Sequence, residues 1–256
     1  IKPDHIKYLD ASHLEEANTF LGEDLFKVKD SVLVEFDEDA EETKFLNFSK
    51  NGKRGIHAEA YLSNYLWHER LFPMKRKDRK PTLLACELVI PLESAVPYLN
   101  EVKRISKRCG IEIQVESYIA GKDKALLMLT HLCNVREPVT YLLHMNLIPV
   151  LTRLGIEYGG VPYGVGIWNT PFVKYKFDKK TLEIYKAYKK EVDPGNILNP
   201  HKFFSIKTKF ANIPGIIFKP LLFDLLIRIG SSATSVFAKL ITVKEERPKE
   251  ESILEK

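Results

Sequence analysis

Cysteine is scarce: Cys86, Cys109 and Cys133 are the only three in 256 residues, and none forms a CxxC pair. An odd number at these spacings excludes a disulfide framework and a zinc ribbon, and it points to a reducing, cytoplasmic setting. A charge excess of one sign is also lacking. The 39 Lys+Arg against 34 Asp+Glu leave a net charge of only +5, too even for a nucleic-acid footprint. Lys outnumbers Arg 29 to 10, which argues against planar, bidentate recognition of phosphates or bases as the main task. No nucleic-acid partner is expected. The seven histidines include no HxH, HExxH or HxxxH pair, so no locally built metal site is expected. A GxSxG nucleophile elbow, a P-loop, a repeat period and a signal-peptide pattern are all missing. What is present is a chain 45% apolar, enough for a substantial core.

The patterning alternates helix and strand. Lys7 to Leu21 reads as a helix capped by Asp10 or Ser12 and stopped by Gly22. Val32 to Asp37 reads as a strand, the acidic stretch Asp37 to Glu42 as a turn, and Ala58 to Leu71 as a second helix. The basic run Lys75, Arg76, Lys77, Arg79, Lys80 reads as a solvated loop or a contact for an anion. Then follow a core strand (Pro81 to Ile90), an amphipathic helix (Leu92 to Arg108, with Val96, Leu99, Val102 and Ile105 on its apolar side) and two strands (Ile111 to Ile119, Lys124 to His131). A long helix from Val135 to Leu154 comes next, with Pro149 placed to kink or break it. Strand, helix, strand, strand, helix is the order of a ferredoxin-like α+β unit: an antiparallel sheet with helices on one face. Thr181 to Lys190 gives a further short helix.

Chemistry-bearing candidates are few. The glycines of GIEYGGVPYGVGIWNT (Gly155 to Thr170) mark a backbone that turns sharply or is closely approached, but they lack the setting of a phosphate cradle. Arg70, three residues after Trp67, suits either a bidentate grip on a carboxylate or a structural ion pair. Tyr163, in PYGVG, is either a presented phenol or a packing residue.

Taken together, three segments resemble the C-terminal domain of the FAD-linked oxidases, the flavoprotein family that includes D-lactate dehydrogenases and the glycolate oxidase FAD subunit. DPGNILNPHKFF (Asp193 to Phe204) is very similar to the family's closing D-P-x-x-I-L-N-P-x-K; LWHER (Leu66 to Arg70) resembles its L-W-x-x-R; and ACELVIPLESAVPYLNEVKRISKRCGIEIQV follows the next strand, helix and strand. The similarity runs from about residue 8 to 204, in family order. It implies a substrate-binding cap over FAD, with the flavin supplied by another domain or subunit, and a small 2-hydroxyacid-like substrate. It assigns Arg70 to the substrate carboxylate, Tyr163 to the position of a histidine acting on the substrate hydroxyl, and Asn199 to the cofactor side. The chain departs from the family's metal-binding motifs, since Tyr118, Ala125, Pro162 and Tyr163 stand where two histidines, a glutamate and a histidine are expected. No metal is therefore expected. A non-catalytic structural or membrane-attachment subunit of a flavoprotein complex is the competing reading. The chain begins at Ile1 rather than Met, which favours the C-terminal piece of a longer chain over a split subunit.

The division is expected at 204/205, with a helical tail beyond it. In Ile213 to Ile241, 15 of 29 residues are Ile, Leu, Phe or Val, interrupted by Lys219, Asp224, Arg228 and Lys239. Such a segment is too charged to span a bilayer; it suits a helix lying at the inner face of the membrane, near a quinone acceptor, or packing on a partner.

Overall fold

The computed structural model describes residues 1–51, 55–69, 72–78, 80–200 and 202–205. The chain begins with strand β1 (His5–Leu9), not with the helix that the sequence suggests from Lys7. HIKYL alternates with period two and pairs antiparallel with β2 (Ser31–Glu35), so extended backbone wins until Asp10. Asp10 then caps helix α1 (Ala11–Leu21), accepting from the His13 N–H at 3.0 Å, and Gly22 closes it at φ 71°. The acidic stretch expected to turn instead opens helix α2 (Asp39–Asn51), with Asp39, Glu41 and Glu42 at the positive end of its dipole. Helix α3 (Ala60–His68) and the short α4 (Phe72–Lys75) follow, the latter running into a single 3-10 turn, Arg76–Asp78.

The ferredoxin-like core comes next: β3 (Thr82–Pro91), α5 (Leu92–Cys109), β4 (Gln114–Ala120), β5 (Lys124–Cys133) and α6 (Pro138–Glu157). A two-residue strand β6 (Val161–Pro162), α7 (Val173–Lys176) and α8 (Lys179–Val192) complete the described elements. The six strands form one antiparallel sheet in the order β2-β1-β4-β5-β3-β6.

Side chains alternate across this sheet. Leu84, Cys86, Leu88 and Ile90 of β3 join Ala125, Leu127, Leu129 and Cys133 of β5 on one face, under Ala95, Tyr98 and Val102 of α5 and Leu147, Ile148 and Leu151 of α6. Of the apolar side expected for α5, Val102 is buried but Val96 is exposed; the deeply buried positions are Ala95, Tyr98 and Val102, one stripe at helical spacing. Pro149 does not end α6, because Leu147, Ile148 and Leu151 pack around it and outweigh its lost backbone bond. On the other face, Leu9, Leu14, Ala17, Phe26 and Leu62 form a smaller core where α1 and α3 cover β1. Beyond β4 the second face is covered at Thr130 of β5, where Arg76 packs, and is otherwise more open: Ala85 is exposed there, and Glu87, Val89, Leu126 and Met128 are half-buried. Among the described residues, no helix is long and apolar enough to cross a membrane. The expected tail, including 213–241, lies outside the described residues, as do Arg70 and Arg79.

Candidate active site

The second face of the sheet divides into a covered half and an open half, and a buried polar network lies along the boundary. Lys7 of β1 points from the same face as Leu9; in the strand register Lys7 is opposite Tyr118 of β4 and Leu9 is opposite Glu116. Its ammonium lies 2.7 Å from Glu116 Oε2 and 5.2 Å from the centre of the Tyr118 ring. The Tyr118 hydroxyl donates to the same Glu116 oxygen at 3.2 Å. From α1, His13 Nδ1 lies 3.5 Å from Glu116 Oε1, and Glu16 meets the Arg76 guanidinium at 2.5 Å. Gln114 donates to Glu16 at 2.9 Å, and Arg76 donates to the Thr130 hydroxyl at 2.7 Å. Arg76 is therefore not part of a solvated basic loop: it is 3% exposed, because Glu16 and Thr130 draw it beneath the sheet.

The network balances its own charge. Two cations, Lys7 and Arg76, face two carboxylates, Glu16 and Glu116, which is the condition for tolerating ions this deeply buried. His13 stays neutral within it; burial first, and then the neighbouring Lys7 and Arg76 charges, push its imidazole down to about 3. His5 flanks Tyr118 with ring centres 5.5 Å apart, and packs edge-on against Trp67 at 5.3 Å.

The open half continues the same row. Glu116 is registered with Met128 on β5, and Met128 with Glu87 on β3. The Tyr163 N–H donates to the Glu87 carbonyl at 3.0 Å, which carries the pairing of β3 with β6 one residue further. Three strand spacings of about 4.8 Å thus separate Glu116 from Tyr163. Tyr163 is 52% exposed, with the Lys176 ammonium 5.8 Å from its ring centre and bonded to its carbonyl.

Two glycines of the glycine-rich stretch serve their own chain. A Cβ on Gly155 would stand 2.4 Å from a Leu88 methyl, so the glycine lets α6 settle on β3. At Gly160 a Cβ would meet the Gly155 carbonyl oxygen at 2.8 Å and the Val89 carbonyl oxygen at 3.2 Å. These glycines permit close backbone packing and leave no room there for a phosphate.

The residues expected from sequence fall in different places. Tyr163 lies on the open half. Arg70 is outside the described residues. Asn199 follows a turn in which Asp193 accepts the Ile197 and Leu198 N–H groups at 2.8 and 2.9 Å, and it adopts φ 45°. That turn leaves Ile197 80% and Leu198 62% exposed. Tyr118 and Ala125 sit on opposite faces of the sheet, since Tyr118 is registered with Leu126. Ala125, 1% exposed, belongs to the helix-side core. Among the described residues no group of three or more His, Cys, Asp or Glu side chains is arranged to hold a metal. Sequence reading missed Lys7, Glu87 and Glu116; of these only Glu87, which interrupts the apolar run of β3, carried a signal, since Lys7 and Glu116 lie in strands of mixed or alternating polarity.

The profile of the FAD linked oxidases, C-terminal domain, matches residues 7–203. The chain belongs to this family. Its fold is similar to that of 4-ethylphenol oxidase from Gulosibacter chungangensis, in a structure with isoeugenol, at 14% identity and a TM-score of 0.58, over 77% of this chain and 47% of that one. Alkyldihydroxyacetonephosphate synthase matches at 13% identity and a TM-score of 0.40, over 77% of this chain and 38% of that one. The chain thus spans less than half the length of these solved relatives. No curated protein matches.

Proposed function

We propose that this domain is the substrate cap of a flavin-dependent dehydrogenase or oxidase acting on a small 2-hydroxyacid-like substrate, with FAD held by a partner domain or subunit. The observation that carries this reading is the open half of the sheet: a half-buried apolar surface of Val89, Leu126 and Met128 around the Glu87 carboxylate, edged by Tyr163. Such a surface suits the flat ring of a flavin or a small organic substrate. At Gly160 the glycine loop is filled by the Gly155 and Val89 carbonyls, which leaves no space for a diphosphate at that turn. The flavin, when bound, supplies hydride acceptance. On the protein side, Arg70 is assigned to the substrate carboxylate, Tyr163 to a hydrogen bond with the substrate hydroxyl, and Asn199, held in the Asp193 turn, to the cofactor side.

The test is co-purification of the full chain with its flavin-bearing partner, followed by anaerobic addition of D-lactate or glycolate. Bleaching of the flavin that slows strongly in Tyr163→Phe and Arg70→Lys supports the cap. A flavin partner that keeps full activity without this chain supports a structural subunit instead, the reading favoured by the burial of Ala125 in the core where the family carries a ligand. The isolated chain is expected to purify without stoichiometric FAD.

A further inference from the structure

We propose that Tyr118 takes the proton of the substrate hydroxyl and passes its own to Glu116, with Lys7 as the positioning residue that holds the carboxylate. This rests on the cap reading above. A phenol alone is a weak base near neutral pH, because its ordinary pKa is about 10. A phenol already donating to a carboxylate needs no such ionisation, since one proton arrives at its oxygen as another leaves. Tyr118 is arranged in that way: its hydroxyl donates to Glu116 Oε2 at 3.2 Å, while its oxygen, which also accepts from the Lys7 ammonium, keeps one lone pair for an incoming O–H.

The surroundings fix this geometry. Lys7 Nζ lies 2.7 Å from the accepting oxygen, with both side chains 2% exposed, so the carboxylate has little freedom to turn away. The His5 ring, itself against Trp67, supports the phenol from the covered half of the sheet. On the other side Tyr118 is registered with Leu126, and Leu126 with Val89, both half-buried on the open face. The phenol therefore stands between a buried acceptor and the surface assigned to substrate. Burial and the Glu116 charge raise its pKa, with Lys7 opposing, so it remains a protonated donor through the neutral range.

The balance closes on one proton. With the carbinol hydride accounted for by the flavin, the substrate O–H bond breaks, a new O–H forms on Tyr118, and the original phenol proton moves to Glu116. The substrate carbon–oxygen bond becomes a carbonyl. Glu116 ends as a neutral acid beside an unchanged Lys7 ammonium; after product leaves, its proton returns to the Tyr118 oxygen as the half-buried phenol gives one up to solvent.

The experiment uses the full chain with its flavin partner. Flavin bleaching by D-lactate is followed anaerobically in H2O and D2O. Tyr118→Phe is expected to slow bleaching on the order of 100-fold and to abolish the wild-type solvent isotope effect, with flavin content unchanged. A Tyr118→Phe rate within threefold of wild type overturns the relay while leaving the cap reading intact. Wild type that neither D-lactate nor glycolate reduces overturns the cap reading itself. A second readout needs no turnover: the phenolate absorbance lost between wild type and Tyr118→Phe is expected to titrate above the ordinary phenol value, and a midpoint at or below that value overturns the coupling to Glu116.

Discussion

Asp10 carries more of this domain than its single carboxylate suggests. Its Oδ1 accepts the His13 N–H at 3.0 Å and caps α1, while its Oδ2 accepts the Val115 N–H of β4 at 2.8 Å. The residue is 7% exposed, so neither donor finds water easily when the carboxylate is lost. Asp10→Ala removes an N-cap, which costs about 1 kcal/mol, and leaves the buried Val115 N–H without an acceptor, which costs a further 1–3 kcal/mol or so. The expected loss is roughly 2–4 kcal/mol, a large share of the marginal stability of a domain this size. Asp10→Asn retains one acceptor oxygen for the cap but sets an amide donor against the Val115 N–H, so it recovers only the cap portion. Urea unfolding of the three proteins at one pH gives the comparison. Asp10→Ala within 0.5 kcal/mol of wild type, or Asp10→Asn as damaging as Asp10→Ala, would refute this division of labour. The functional consequence is local, since the same junction sets His13 and Glu16 against Glu116, Gln114 and Arg76.

Acid is expected to destabilise the domain before most carboxylates titrate. Burial pushes His13 down to about 3 and His131 down to about 4, so between about pH 6.5 and 4 the unfolded chain binds protons that these folded rings refuse. Stability then falls as pH falls, by about 1.4 kcal/mol per pH unit for each histidine; unfolding midpoints that do not change between pH 7 and 5 would contradict this. Gly160→Ala is expected to cost on the order of 1–3 kcal/mol, because the added methyl meets two backbone carbonyls that cannot rotate away; an unchanged melting temperature would show that the loop yields. Cys86, 1% exposed with its thiol pushed up to about 12 by burial, is expected to resist alkylation at pH 8 until denaturant is added; native-state labelling detected by mass spectrometry would refute its burial.

The order of the central unit was legible because β3, α5, β4, β5 and α6 are long and strongly patterned, and their hydrophobic period decides their type. The ends were less so. HIKYL is only five residues and runs directly into the Asp10 cap, so its alternation merged with the period of α1. The α2 helix was masked by its acidity, for DAEETKFLNFSKN has little apolar face and Ser49 is the position it buries. The pairing of the polar network was not legible in sequence, although the charged residues within its strands were visible. Glu16 and Gln114 lie 98 positions apart, and Arg76 and Thr130 lie 54 apart, so only the sheet register unites them. Tyr163 could be singled out by its glycines, yet of that loop's glycines Gly155 and Gly160 serve packing, while Gly166 has open space around it. The residue that makes Tyr118 a connected phenol, Glu116, looked like an ordinary charge in an alternating strand.

Stability alone does not account for an ion pair in the place of Lys7 and Glu116. A sheet built mainly from Leu, Val and Ile could fill both positions with apolar side chains, and a buried pair repays its desolvation only when its geometry is excellent. Replacing both residues removes the two charges together, and of their neighbours it withdraws only the acceptor of the half-buried Tyr118 hydroxyl and the carboxylate beside the neutral His13 ring. Lys7→Met combined with Glu116→Leu is accordingly expected to unfold within about 1 kcal/mol of wild type, or to be more stable, since such exchanges are often neutral or favourable. Either single change leaves one uncompensated buried charge and is expected to cost about 3–5 kcal/mol. Urea unfolding of the two single variants and the double variant completes a thermodynamic cycle. A double variant as unstable as the worse single one would mean that the pair is needed to hold the sheet together. A stable double variant would mean that the fold itself does not require charge at these positions, which leaves the orientation of Tyr118 as the physical reason for it.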